Sequence, residues 1–148
     1  MPVPSGKSVK RLRRTFPAQL RAFEQVKSLI EEFGEAAGLG REDRHKLTLI
    51  VEELFTNTVT HGHRGDSNAP VQISLEDTVA GVQLTYEDSA PQYDPVAASR
   101  RTNIESTINE RRVGGLGVFL TIGLTNAADY RFVEGRNRIS LTLVPSRE

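Results

Sequence analysis

The arrangement of apolar residues predicts an α/β (α+β) two-layer sandwich, in which a mixed, mainly antiparallel sheet is covered on one face by helices. Two observations carry this. Between Ala18 and Ala37, and again between Arg41 and His61, apolar side chains recur at three and four residues, the period of an amphipathic helix packed on a core. Elsewhere short segments alternate apolar with polar residues and are joined in pairs by turn chemistry, which is the pattern of hairpins. Hairpin-connected strands with helices between them favour one sheet with its helices layered on one side.

Taken in order, residues 1–7 hold two prolines and a glycine and are expected to form a flexible tail, with a single domain over residues 8–148. Val9, Leu12 and Phe16 lie in a basic segment that reads as an edge strand, ended by Pro17, which suits the first turn of a helix. Leu20, Phe23, Val26, Leu29, Ile30 and Phe33 mark the buried stripe of the first helix, closed by Gly38 and Gly40. Leu47, Ile50, Val51, Leu54, Phe55 and Thr58 mark that of the second, with Gly62 placed as its cap. The segment from Gly62 to Pro70 is turn chemistry. Val71, Ile73 and Leu75, then Val82, Leu84 and Tyr86, form a hairpin through a turn at Asp77 to Gly81. From Asp88 to Val113 the chain is polar and irregular, with only Ile104 and Ile108 hinting at a helical turn, and it reads as a mobile lid. Gly114 to Thr125 reads as a glycine-rich turn feeding an apolar helix. Tyr130 to Val133 and Ile139 to Val144 make a second hairpin through Gly135-Arg136-Asn137.

Nineteen basic and nineteen acidic residues give no electrostatic reason to expect nucleic acid or an anionic membrane as partner, and point to a protein or a small molecule. The absence of cysteine removes disulfides, thiolate metal sites and cysteine nucleophiles together. The start has no apolar stretch for a signal peptide, and no run is long enough to span a bilayer, so a cytoplasmic protein is expected.

Three features can carry chemistry. Glu53 and Asn57 are four residues apart on the second helix, so they leave the same face one turn apart. Their neighbours Leu54, Phe55 and Thr58 face the core, which pushes the pair toward a pocket rim. A carboxylate there can take a proton from a hydroxyl and an amide oxygen can ligate a hard cation, although a solvated helix face has the same pattern. Asp88 ends a strand, where its carboxylate can accept a hydrogen bond from an exocyclic amino group or simply begin a loop. Gly114-Gly115-Leu116-Gly117, followed by Val118, brings bare backbone amides to a helix N-terminus, suited to phosphate oxygens or to a tight turn alone. Arg111 and Arg112, just before it, add fixed cations. His61 is one turn after Asn57, in the last helical turn, where the helix dipole favours it.

The order of these pieces resembles the N, G1 and G2 boxes of the GHKL (Bergerat-fold) ATP-binding family, which includes gyrase, histidine kinases and anti-sigma serine kinases. Val51 to Gly62, Gly114 to Leu120 and Gly135-Arg136-Asn137-Arg138-Ile139 are similar to the anti-sigma branch, and the resemblance runs from about Arg13 to Val144. It implies ATP and magnesium (Mg2+) as ligands, Glu53 as general base, Asn57 as the magnesium ligand, Asp88 as the adenine contact, and Gly114 to Val118 with Arg112 as the phosphate cradle. It also implies a serine/threonine kinase that phosphorylates an anti-anti-sigma antagonist and holds a sigma factor, with room for a homodimer. One departure stands out: after Asp88 the family places two glycines where this chain has Ala90 and Gln92. Those two residues support the alternative of a GHKL-fold binding module that transfers no phosphate.

Overall fold

The computed structural model describes residues 11–97 and 124–146. The elements in chain order are strand β1 (Arg11–Pro17), helix α1 (Phe23–Ala37), helix α2 (Arg41–Asn57), and strands β2 (Pro70–Thr78), β3 (Gly81–Asp88), β4 (Ala127–Val133) and β5 (Arg136–Leu143). Among the described residues five strands form one sheet in the order β1-β2-β3-β5-β4, antiparallel at every pairing. Predicted fold class and strand pairing both agree with this sheet, and β1 is an edge strand as expected.

The helices form where the apolar period places them. Val26, Leu29, Ile30 and Phe33 of α1 and Leu47, Ile50, Val51, Leu54 and Phe55 of α2 are buried against Val71, Ile73, Leu75, Val82, Leu84, Ile139 and Leu141 of the sheet. Each such side chain contributes about 1.5–3 kcal/mol by leaving water. The Phe23 and Phe55 rings add a tilted contact between the helices, with centroids 5.8 Å apart. Gly38 ends α1 in the left-handed region, at φ 72°, and its amide bonds back to Glu35 and Gly34. Asp43, buried in the first turn of α2, accepts bonds from the Ser146 amide at 3.0 Å and the Ser146 hydroxyl at 3.4 Å, fastening the end of the sheet to the helix layer.

Several boundaries differ from the sequence expectation. The chain after Pro17 first makes a 3-10 turn at Leu20–Ala22, and the α-helix starts at Phe23 rather than Ala18. The second helix is α-helical only to Asn57 and continues as a π-helical turn over Thr58–Gly62. Gly62 is therefore inside that turn rather than its cap, and His63 follows it in right-handed geometry. The second hairpin turns at Glu134 and Gly135, with φ of 53° and 79°, the paired positive values of a two-residue turn matched to sheet twist. Arg136 and Asn137 are already in β5. The part of the expected lid beyond residue 97 and the helix expected from Val118 to Leu124 fall outside the described residues, apart from Leu124, which is in a turn.

Candidate functional site

The end of α2 and the end of β3 meet at a cleft with a volume of about 340 Å³, near the lower end of the range of about 300–1,000 Å³ usual for small-ligand sites. Leu54, Tyr86 and Ile139 line its apolar part, Asn57, Thr58 and His61 one wall, and Asp88 and Asn137 its polar end, with Ala90 to Tyr93 beside them. The π-helical turn belongs to this wall. Such turns widen a helix by one residue and recur at functional sites.

Alternation along β3 decides which carboxylate enters the cleft. Asp88 points to the helix-covered side with Tyr86, Leu84 and Val82, whereas Glu87 points to the opposite face. There Glu87 is paired with Arg136 at 3.2 Å and with Arg138. Asp88, 8% exposed, is held on both oxygens. Oδ2 accepts the Thr58 hydroxyl at 2.7 Å, and Oδ1 accepts the Ala90 amide at 3.2 Å and the Asn137 side-chain amide at 2.9 Å.

Thr58 links this carboxylate to Tyr86, whose hydroxyl is 2.7 Å from the Thr58 oxygen. Burial pushes the Tyr86 phenol well above its ordinary value, and the negative charge of Asp88 adds to the rise. Tyr86 thus keeps its proton and donates to Thr58. The single Thr58 hydrogen faces the Leu54 carbonyl at 3.0 Å and the Asp88 carboxylate at 2.7 Å, and the charged acceptor is the stronger. The order of donation is Tyr86 to Thr58 to Asp88.

Ala90 and Gln92, the departures from the expected glycines, are both at the cleft. Ala90 is buried, and its methyl group sits where a Cβ on Gly62 would come within 2.7 Å. The missing side chain at Gly62 is what admits the extra methyl at Ala90. Small residues thus occupy both sides of this contact.

Of the residues expected from sequence, Asn57 and Asp88 come together on one cleft. Glu53, one turn earlier on α2 and therefore about 6 Å along its axis, is partly exposed and is not among the lining residues. Arg112, Gly114, Gly115, Leu116, Gly117 and Val118 lie outside the described residues. Thr58, Tyr86 and Asn137 were not foreseen as part of the site. Their signal was the alternation that places Tyr86 and Asp88 on one face, and the asparagine two places after Gly135. Among the described residues no cluster of three or more His, Cys, Asp or Glu side chains suits a metal, and no helix is long and apolar enough to cross a membrane. A single amide ligand is nevertheless compatible with magnesium, which retains several waters and takes its remaining ligands from phosphates.

A family model described as a histidine kinase-like ATPase domain matches residues 16–143. The chain is also similar to the serine/threonine-protein kinase BtrW of Bordetella bronchiseptica, with 28% identity over 99 residues, 67% of this chain and 69% of the relative.

Proposed function

The chain belongs to the histidine kinase-like ATPase domain family, and from that premise we propose that ATP enters the cleft with its adenine ring against Asp88 and its phosphates toward Asn57. The observation that supports this most is the hydrogen-bond count at Asp88. Its two oxygens have about four lone-pair sites, three of which are taken by Thr58, Ala90 and Asn137. The remaining place, on Oδ2 of a carboxylate lining an apolar cleft, accepts one hydrogen, as the adenine amino group supplies.

Asn57 is the proposed magnesium ligand, and the metal when bound neutralises charge on the phosphates. Glu53 is the proposed base: its carboxylate takes the proton of a serine or threonine hydroxyl as that oxygen bonds to the γ-phosphorus and the bond to the bridging oxygen breaks, releasing ADP. Arg112 and Gly114 to Val118 are assigned to the phosphate cradle. The family resemblance and the kinase name carried by the relative support a protein serine/threonine kinase acting on an anti-anti-sigma antagonist and sequestering a sigma factor in the cytoplasm. Incubation with labelled ATP and the antagonist tests this: label on a serine or threonine of the antagonist supports it, and ATP binding without transfer opposes it.

The position of Glu53 outside the lining residues favours a second reading, a non-catalytic GHKL-fold binding module in a bacterial partner-switching pathway, with weak or no nucleotide binding. Retained antagonist binding without transfer distinguishes it.

A further inference from the structure

The most heavily bonded side chain described in the cleft belongs to a residue that has no role in the proposed catalytic set. Asn137 is 5% exposed and lies directly across the sheet from Asp88. Its amide nitrogen faces Asp88 Oδ1 at 2.9 Å, the Ala90 carbonyl at 3.0 Å and the Pro91 carbonyl at 3.1 Å. Its oxygen accepts the Tyr93 amide at 3.0 Å and the Tyr130 hydroxyl. Acceptors gather on the nitrogen side and donors on the oxygen side, so the orientation of the amide is fixed by its surroundings.

These contacts span both limbs of the segment where the chain carries Ala90 and Gln92 in place of glycines. The nitrogen holds the carboxylate and the start of the turn, and the oxygen holds its end at Tyr93. We propose that Asn137 is the positioning residue of the cleft, fixing segment 88–93 and occupying Asp88 Oδ1 so that the free acceptor place is on Oδ2 alone. This rests on the adenine reading of the cleft. Asn137 itself touches no nucleotide in the proposal. It acts on specificity by denying the carboxylate a second free oxygen and a second orientation.

The test separates the two sides of the amide. Asn137→Asp keeps the volume and the acceptor for Tyr93 but replaces the donor to Asp88 with a carboxyl oxygen that repels it, and Asn137→Ala loses both sides. The readouts are affinities for magnesium-ATP and magnesium-ITP, whose base carries a 6-oxo group in place of the amino group, and hydrogen exchange at the Tyr93 amide without nucleotide. The preference of wild type for ATP over ITP should fall by about tenfold in both variants, since each loses a hydrogen bond to a charged group. Tyr93 exchange should speed up in Asn137→Ala and stay close to wild type in Asn137→Asp. A merely structural role would weaken both nucleotides alike and leave their ratio unchanged, which overturns the proposal, as does unaltered Tyr93 exchange in Asn137→Ala. If Asn137→Ala does not fold, the nucleotide ratio in Asn137→Asp decides. If wild type binds neither nucleotide, the ATP reading fails, and the clamp is judged by Tyr93 exchange alone.

Discussion

Thr58 and Asp88, 30 residues apart in sequence, share a hydrogen bond of 2.7 Å that joins the end of the second helix to the end of the third strand. The same threonine oxygen receives Tyr86, so one hydroxyl sets the position of the carboxylate that closes the cleft. Thr58→Val keeps the shape but leaves the Tyr86 hydroxyl and Asp88 Oδ2 each without this partner. It should lower stability by about 1–3 kcal/mol, measured by denaturant unfolding, and weaken ATP.

Tyr86 gives a pH signature. Its folded pKa is raised above the ordinary value of 10.0 by burial, so the stability linked to its proton is fully present below that value and is lost as pH rises beyond it, because only the unfolded chain ionises there. The loss runs at up to about 1.4 kcal/mol per pH unit. Tyr86→Phe, less stable at neutral pH by about 1 kcal/mol, should close the gap to wild type in alkaline unfolding experiments. A constant gap would contradict a Tyr86 that stays protonated in the fold.

The contact between Gly62 and Ala90 predicts a reciprocal pair. Gly62→Ala places a methyl 2.7 Å from the Ala90 methyl and should cost about 1–3 kcal/mol. Adding Ala90→Gly should return part of that loss, with a coupling of about 1 kcal/mol in a double-mutant cycle. Additive effects would mean that the two positions do not share this space.

Much of the fold was legible because its signals are local. The three-and-four spacing from Val26 to Phe33 and from Leu47 to Phe55, and the alternation of Val71, Ile73 and Leu75, each follow from the period of one element. The meeting of Asn57 with Asp88 was legible only through the order of motifs. Asn137 was missed because Gly135-Arg136-Asn137 has turn composition, while the turn is completed at Glu134 and Gly135 and the asparagine begins the strand's inward face. Its partner Asp88 is 49 residues away, and no local pattern reports a register between β3 and β5. Gly62 was misread for a related reason: its smallness serves a contact across the cleft rather than a helix cap.

Kinetics distinguish the two proposed roles on the second helix. Glu53→Gln should bind magnesium-ATP like wild type and slow phosphate transfer by about a hundredfold or more. Asn57→Ala should weaken magnesium-dependent binding itself. Transfer by Glu53→Gln at the wild-type rate would remove Glu53 as the base.

The most direct measurement is a calorimetric titration of wild type and Asp88→Asn with magnesium-ATP and magnesium-GTP. An adenine-reading Asp88 predicts that wild type binds ATP and that Asp88→Asn loses about tenfold or more for ATP, with a smaller change for GTP. Absence of ATP binding in wild type, or an equal loss for both nucleotides, would contradict the assignment of this cleft to adenine.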